Sequence, residues 1–280
     1  MPVFSDSYGI AIHYEMWRVT QPRAVVQLAH GVGEHIGRYR ELIAVLNASG
    51  YSVWADDHRG HGQTGLAQHG GDASKLGKLG PGGLRAAVAA VHQFTGVIRE
   101  TEGTDVPLVF IGHSWGSFIA QLIINDHADE YDGVVLTGTA YRMLHSMNSG
   151  NLNRRHRALG TSPVEWLSRD PTVAPRFMAD PLATATPLPV LFGLPDSIRL
   201  LGRPSRHLAR DVPMLIMVGS DDPLGGEPSA RKLAESYLRR SGLTDVEVIV
   251  YLDARHEVFN EINRDEVFHD LTTWLQTRWP

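Results

Sequence analysis

Residues 106–116 read V-P-L-V-F-I-G-H-S-W-G. An apolar run, 108–111, stops at Gly112-His113-Ser114-Trp115-Gly116, and residues 117–125 resume at once with helical spacing. The segment therefore predicts a buried strand, a sharp turn and a helix, with a serine at the apex. A backbone that reverses so abruptly strains its apex residue and drives that side chain clear of the sheet edge. The positions two before and two after the serine then pass close to neighbouring backbone, where glycine fits because it has no Cβ.

The rest of the chain repeats this alternation. Residues 8–18 alternate and read as an early strand or hairpin arm. Strands are predicted at 24–29, 51–55, 107–111, 133–139, 213–218 and 246–252, and helices at 39–49, 83–99, 227–240 and 265–277; residues 58–71 are glycine-rich and read as loop. Short apolar runs alternating with helices predict an α/β domain: a mostly parallel sheet covered on both faces. Residues 141–210 break the rhythm. They hold many prolines and no convincing strand, and they are far longer than a crossover needs. The expectation is a core of residues 1–140 and 211–280, with 141–210 inserted as a helical cap over the C-terminal edge of the sheet. Met143, Leu144, Met147, Leu152, Val190, Leu191, Phe192 and Leu194 give that insert an apolar character.

Composition closes off several classes of function. With no cysteine, disulfides, thiolate catalysis and cysteine-type zinc sites are excluded. A net charge of −5 gives no electrostatic reason to expect nucleic-acid binding. Gly31-Val32-Gly33 begins like a dinucleotide fingerprint, but position 36 is isoleucine, and no phosphate-binding loop pattern occurs. The fourteen histidines show no H-E-x-x-H spacing, so no metal and no organic cofactor is expected. The start of the chain lacks a basic stretch followed by an apolar one, and no apolar run reaches membrane-spanning length, which predicts a cytoplasmic protein.

A serine hydroxyl needs a general base within hydrogen-bond reach, and that base needs an orienting carboxylate. G-x-S-x-G between strand and helix is the nucleophile elbow of the α/β-hydrolase fold, whose chain order is serine, acid, histidine, each after a core strand. The sequence supplies both partners. Gly219-Ser220-Asp221-Asp222 follows the strand at 213–218, and Asp253-Ala254-Arg255-His256 follows the strand at 246–252. His256 is the expected base. Asp221 and Asp222 are adjacent and only one can face it; the other is expected to hydrogen-bond within its turn. The oxyanion formed on attack needs two backbone N–H donors. One is that of Trp115, after the serine. The other lies in His30-Gly31-Val32-Gly33, after the strand at 24–29, and Val32 is the expected donor.

Taken together, His30 to Tyr39 (H-G-V-G-E-H-I-G-R-Y), Asp57 to Gly62 (D-H-R-G-H-G), Gly112 to Gly116 (G-H-S-W-G), Gly219 to Leu224 (G-S-D-D-P-L) and Arg255 to Glu261 (R-H-E-V-F-N-E) resemble the monoacylglycerol lipase and lysophospholipase group of α/β-hydrolases, the serine-aminopeptidase-like lipases. S-R-D-P at Ser168 and D-P-L at Asp180 resemble cap fragments of bacterial members. The resemblance implies Ser114, Asp222 and His256 as the triad, and the amides of Val32 and Trp115 as the oxyanion hole. Two positions depart from the group: Trp115 stands where methionine is usual, and Ser117 where a second glycine is usual. The expected function is a serine carboxylic-ester hydrolase that cleaves single-chain acyl esters through an acyl-enzyme, in the manner of a monoacylglycerol lipase. A lysophospholipase, a short-chain carboxylesterase, a peptidase or amidase on the same scaffold, and a non-catalytic binding protein are the alternatives. The expected partner is a small ester or lipid, with no nucleic acid and no obligatory protein. The apolar stretch 188–194 carries an expectation of transient contact with a membrane surface, against the alternative that it packs on the core or lines an acyl tunnel.

Overall fold

The computed structural model describes residues 2–148 and 150–280. In chain order the elements are β1 (Val3–Ser5), β2 (Ala11–Trp17), β3 (Ala24–Ala29), α1 (Arg40–Ala48), β4 (Tyr51–Asp56), α2 (Gly62–Gln68), α3 (Gly83–Glu102), β5 (Leu108–His113), α4 (Trp115–His127), β6 (Gly133–Thr137), α5 (Val173–Ala179), α6 (Leu188–Arg199), β7 (Met214–Gly219), α7 (Gly226–Ser236), β8 (Val246–Tyr251) and α8 (Arg264–Arg278). One sheet holds all these strands in the order β1-β2-β4-β3-β5-β6-β7-β8. β1 and β2 form an antiparallel edge; from β4 to β8 every pairing is parallel.

The apolar runs of the sequence become the centre of this sheet. Every residue of β3, β4, β5, β6 and β7 is buried, as a parallel sheet covered on both faces requires. Alternate residues serve opposite layers. Leu108 and Phe110 of β5 pack with Val91, Phe94, Ile119 and Leu233 from α3, α4 and α7. Val109 and Ile111 pack with Leu42, Leu46 and Leu271 from α1 and α8.

Two elements differ from the sequence expectation. The glycine-rich stretch 58–71, expected as loop, contains α2. Its glycines make it a poor helix by propensity, and tertiary fit overrides that: Asp57 accepts the Gln63 N–H at 2.7 Å, and a Cβ on Gly65 would lie 2.2 Å from the Gly60 carbonyl oxygen. β1 was not expected at all, being a three-residue edge strand. It turns the 8–18 segment into the second arm of a hairpin. Between β6 and β7 lies the long excursion, without a strand among its described residues; α6 breaks at Gly193, whose φ is 73°.

Candidate active site

Register places the site. β3 pairs with β5 so that Ala29 lies opposite Gly112, and β5 pairs with β6 so that His113 lies opposite Thr137. The loops leaving β3 and β5 therefore emerge side by side. Ser114 sits at φ 52°, ψ −120°, a strained conformation for a residue with a side chain. Its N–H donates to the Thr137 carbonyl at 2.9 Å. A Cβ on Gly112 would lie 2.6 Å from the Gly116 carbonyl oxygen, and one on Gly116 would lie 2.3 Å from that of Ala29. Both glycines of the turn are thus required by close backbone approach. Ser117, one of the two departures, is fully buried; its hydroxyl donates to the Ser114 carbonyl at 2.6 Å and lies 2.8 Å from Thr139 Oγ1.

His256 Nε2 lies 2.8 Å from Ser114 Oγ, and His256 Nδ1 lies 3.0 Å from Asp222 Oδ2. With Nδ1–H donating to the carboxylate, Nε2 is left to accept the serine proton. The other Asp222 oxygen accepts the Leu224 N–H at 2.9 Å, which fixes the carboxylate. Burial pulls the His256 pKa down, but the Asp222 charge and hydrogen bond, then Glu257 and Glu34, together carry it above the ordinary imidazole value. Asp221 does not turn back into its own loop as expected. Its carboxylate leaves the turn and takes Arg155 at 2.7 Å and His156 at 2.6 Å from the 138–213 excursion. A guanidinium and an imidazole there outcompete the local N–H donors.

The loop after β3 rests on a carboxylate that the sequence reading passed over. Glu34 Oε1 accepts the Gly31 N–H and the Tyr39 hydroxyl, both at 2.6 Å, and Arg38 Nε donates to Oε2 at 3.0 Å. Burial disfavours the Glu34 anion, yet the Arg38 charge, with the Tyr39 and Gly31 donors, holds its pKa below the usual value. The same guanidinium forks onto Glu257 at 2.6 and 2.7 Å. One arginine thus joins the loop bearing Val32 to the residue after His256. The available signal was that Glu34, Arg38 and Glu257 are charged residues inside motifs otherwise made of strand-end turns.

Burial lowers the pKa of three other histidines near the site, His30, His61 and His113. Burial, followed by the neighbouring His256, pushes His113 down to about 3, and burial pushes His61 down to about 4. His30 Nε2 accepts the His58 N–H at 3.0 Å while Nδ1 lies 2.7 Å from the Gly31 carbonyl, which assigns its proton to Nδ1. None of these faces Ser114 Oγ as His256 does.

The excursion closes over this floor. Trp166 lies 4.6 Å from the His256 ring, centroid to centroid, and Phe192 meets Trp115 edge-on at 5.0 Å. Arg255 donates to the carbonyls of Glu165 and Ser168, Glu257 N–H to that of Leu167, and Glu261 accepts Arg169. The S-R-D-P fragment is therefore the segment that docks on the histidine loop. Thr184 N–H donates to the Gly33 carbonyl at 2.8 Å. Ser114 keeps only 8% of its surface exposed. The stretch 188–194 divides: Phe192 is buried against Trp115, whereas Val190 and Leu194 stand 70% and 72% exposed.

A serine at positive φ where the fifth strand exits, in reach of an imidazole from beyond the eighth, defines an α/β-hydrolase. Residues 20–263 match the family described as Hydrolase_4, serine aminopeptidase, S33. The chain is 33% identical over 285 residues to a monoacylglycerol lipase of Mycolicibacterium smegmatis, covering 97% of this chain and 95% of that one. It is 28% identical to a monoglyceride lipase of Homo sapiens, covering 99% and 91%. A thermostable carboxyl esterase of Bacillus coagulans superposes with a TM-score of 0.83 at 23% identity, over 100% of this chain and 98% of that one. The chain belongs to the serine aminopeptidase S33 family of α/β-hydrolases and is an ester hydrolase.

Proposed function

We propose that the protein hydrolyses monoacylglycerols, with Ser114 as nucleophile, His256 as general base and acid, Asp222 as the orienting carboxylate and the Val32 and Trp115 N–H groups as the oxyanion hole. The observation that carries this reading is the unbroken hydrogen-bonded chain from Ser114 Oγ through His256 to Asp222, beneath an apolar cover. Ser114 Oγ attacks the ester carbonyl as its proton passes to His256 Nε2. The tetrahedral oxyanion collapses, the ester C–O bond breaks, and the imidazolium returns the proton to the glycerol oxygen. Water, losing a proton to the same nitrogen, then adds to the acyl carbon; Ser114 leaves and recovers the proton, and a fatty acid is released. No step needs a metal or organic cofactor.

Residues 141–210 are the cap in this proposal. With Ser114 almost wholly covered, substrate entry requires the cap to move, and Trp115 and Phe192 make the wall an acyl chain meets first. The protein is cytoplasmic in this reading and touches membrane surfaces peripherally; among the described residues no helix is long and apolar enough to cross a membrane.

The test is a hydrolysis panel of monoacylglycerols of graded chain length, lysophospholipids, short p-nitrophenyl esters and an aminoacyl anilide. Monoacylglycerols are expected to exceed lysophospholipids and the anilide by at least about tenfold in kcat/KM, and Ser114→Ala to lose roughly 10⁴–10⁶ in kcat while still folding. Preferred cleavage of the anilide, or normal turnover by the alanine variant, would refute the reading.

A further inference from the structure

Away from the site, at the far end of α4, three side chains converge from two elements. His92 comes from the middle of α3. His127 is the last residue of α4, and Glu130 lies in the short turn after it. His92 Nε2 is 2.9 Å from both Glu130 oxygens, and His127 Nδ1 is 3.1 Å from Oε1. The two imidazoles stack with centroids 3.9 Å apart and planes 29° from parallel. One ligand atom from each of the three lies within 4.8 Å of the others.

We propose that His92, His127 and Glu130 form a binding site for one divalent transition-metal ion of the zinc type. Two imidazole nitrogens and a carboxylate oxygen suit zinc, nickel or copper better than calcium or magnesium, which prefer oxygen alone. Metal–nitrogen bonds of about 2.0–2.1 Å put tetrahedral ligands about 3.3 Å apart, so atoms now within 4.8 Å of one another need close by at most about 1.5 Å. To bind the ion, His92 would coordinate through Nε2 and His127 through Nδ1, each as a neutral imidazole in the tautomer that carries its single proton on the other ring nitrogen.

The frame is preorganised. Ala128 and Tyr131, on either side of the turn, are fully buried, and the Tyr131 hydroxyl lies 2.7 Å from Thr95 Oγ1 on α3. Arg99 of α3 donates to the Glu130 carbonyl at 3.1 Å and is itself paired with Asp132. A cation here also faces the C-terminal end of the α4 dipole. The three side chains stay partly exposed, with His92 at 29%, Glu130 at 36% and His127 at 42%, so an ion has access and an open coordination position for water. The sequence hides the site because His127-x-x-Glu130 supplies two ligands and the third lies on another helix.

α4 has 13 residues, which sets the cluster about 18 Å from the nucleophile elbow at the other end of the helix. The ion would act as a clasp between α3 and α4 and would take no part in the reaction. The test titrates the full chain with zinc against a chromophoric chelator, alongside His127→Ala and Glu130→Gln. One equivalent is expected to bind with a Kd of micromolar order or tighter, weakened at least about tenfold by either substitution. Zinc should raise the thermal midpoint of the parent and not of the variants, whose ester hydrolysis should match the parent. Failure of the parent to bind at roughly 100 µM zinc, or affinity and thermal response that both survive the two substitutions, would overturn the proposal.

Discussion

At the scale of single residues, the weight falls on Arg38. Its side chain, 9% exposed, lies between two buried carboxylates, Glu34 beneath the β3 loop and Glu257 beside His256. Removing one member of such a triad leaves uncompensated charge in a low dielectric, at a cost of about 3–5 kcal/mol. Arg38→Met is therefore expected to lower the thermal midpoint by several degrees or more. Because Glu34 holds the Gly31 N–H and Glu257 follows the base, kcat on a soluble ester should also fall by roughly 10–100-fold with KM little changed. A full kcat in a destabilised variant would reduce Arg38 to a structural strut. His256 carries the second residue-scale expectation. It works as a base only when neutral, and its pKa is raised above the ordinary value. The acid limb of kcat/KM should therefore have its midpoint above about 6.5, with activity rising as pH increases through it. A limb centred at or below that value contradicts the balance of burial and Asp222 described above.

Elements differ in how far the sequence announces them. β3 to β7 could be read because each is an apolar run that a doubly covered sheet buries on both faces. The positions of Ser114 and Asp222 could be read for a related reason, since each follows such a run; His256 follows β8, an apolar edge strand that is only partly buried. β1 is too short to have a period, and α2 is held by close backbone packing that no propensity records. Glu34, Arg38 and Glu257 were hidden because a charged loop residue reads as solvated until a partner from another loop is placed beside it. The excursion was illegible in a further way: the break at Gly193 in α6 turns Phe192 inward while Val190 and Leu194 face out. Its attachment can be tested. Two histidine–aspartate contacts tie it to the core, His35 to Asp180 at 2.8 Å and His156 to Asp221 at 2.6 Å. Each contact is a hydrogen bond of about 0.5–1.5 kcal/mol. The double variant Asp180→Asn, Asp221→Asn should accelerate amide exchange across residues 141–210 by several-fold while the sheet's exchange and the global thermal midpoint hardly move. Unchanged exchange there would mean that the remaining contacts, those of Arg255, Glu257, Glu261 and the Thr184 N–H, keep the excursion shut.

Over the whole molecule, charge and apolar exposure are unevenly distributed. The chain carries −5, yet residues 141–210 hold ten arginines and no lysine against four carboxylates, a local net of +6. Six of the twelve large apolar side chains exposed among the described residues lie in the same stretch: Leu144, Leu159, Met178, Val190, Leu194 and Ile198. Arg142 is buried, and Arg155 and Arg169 pair with Asp221 and Glu261 outside the stretch, so its outward charge is smaller but still positive; such charge beside exposed apolar side chains suits the boundary of an anionic bilayer, where each arginine near the surface contributes about 1 kcal/mol and an inserted leucine about 1–3 kcal/mol. The acidic remainder of the molecule is repelled by the same surface, so the protein should approach it with residues 141–210 first. In co-sedimentation it should bind vesicles containing phosphatidylglycerol better than vesicles of phosphatidylcholine alone. Because the Debye length shrinks from about 10 Å at 0.1 M salt to about 3 Å at 1 M, high salt should abolish most of that preference. Leu194→Asp, which changes a side chain already 72% exposed, should weaken binding to anionic vesicles about tenfold or more without loss of fold. Leu252→Asp changes an equally exposed leucine, at 77%, on the core, and should leave binding unaltered. Equal binding to both vesicle types, or equal loss from the two leucine substitutions, would show that residues 141–210 do not steer the protein to such a surface.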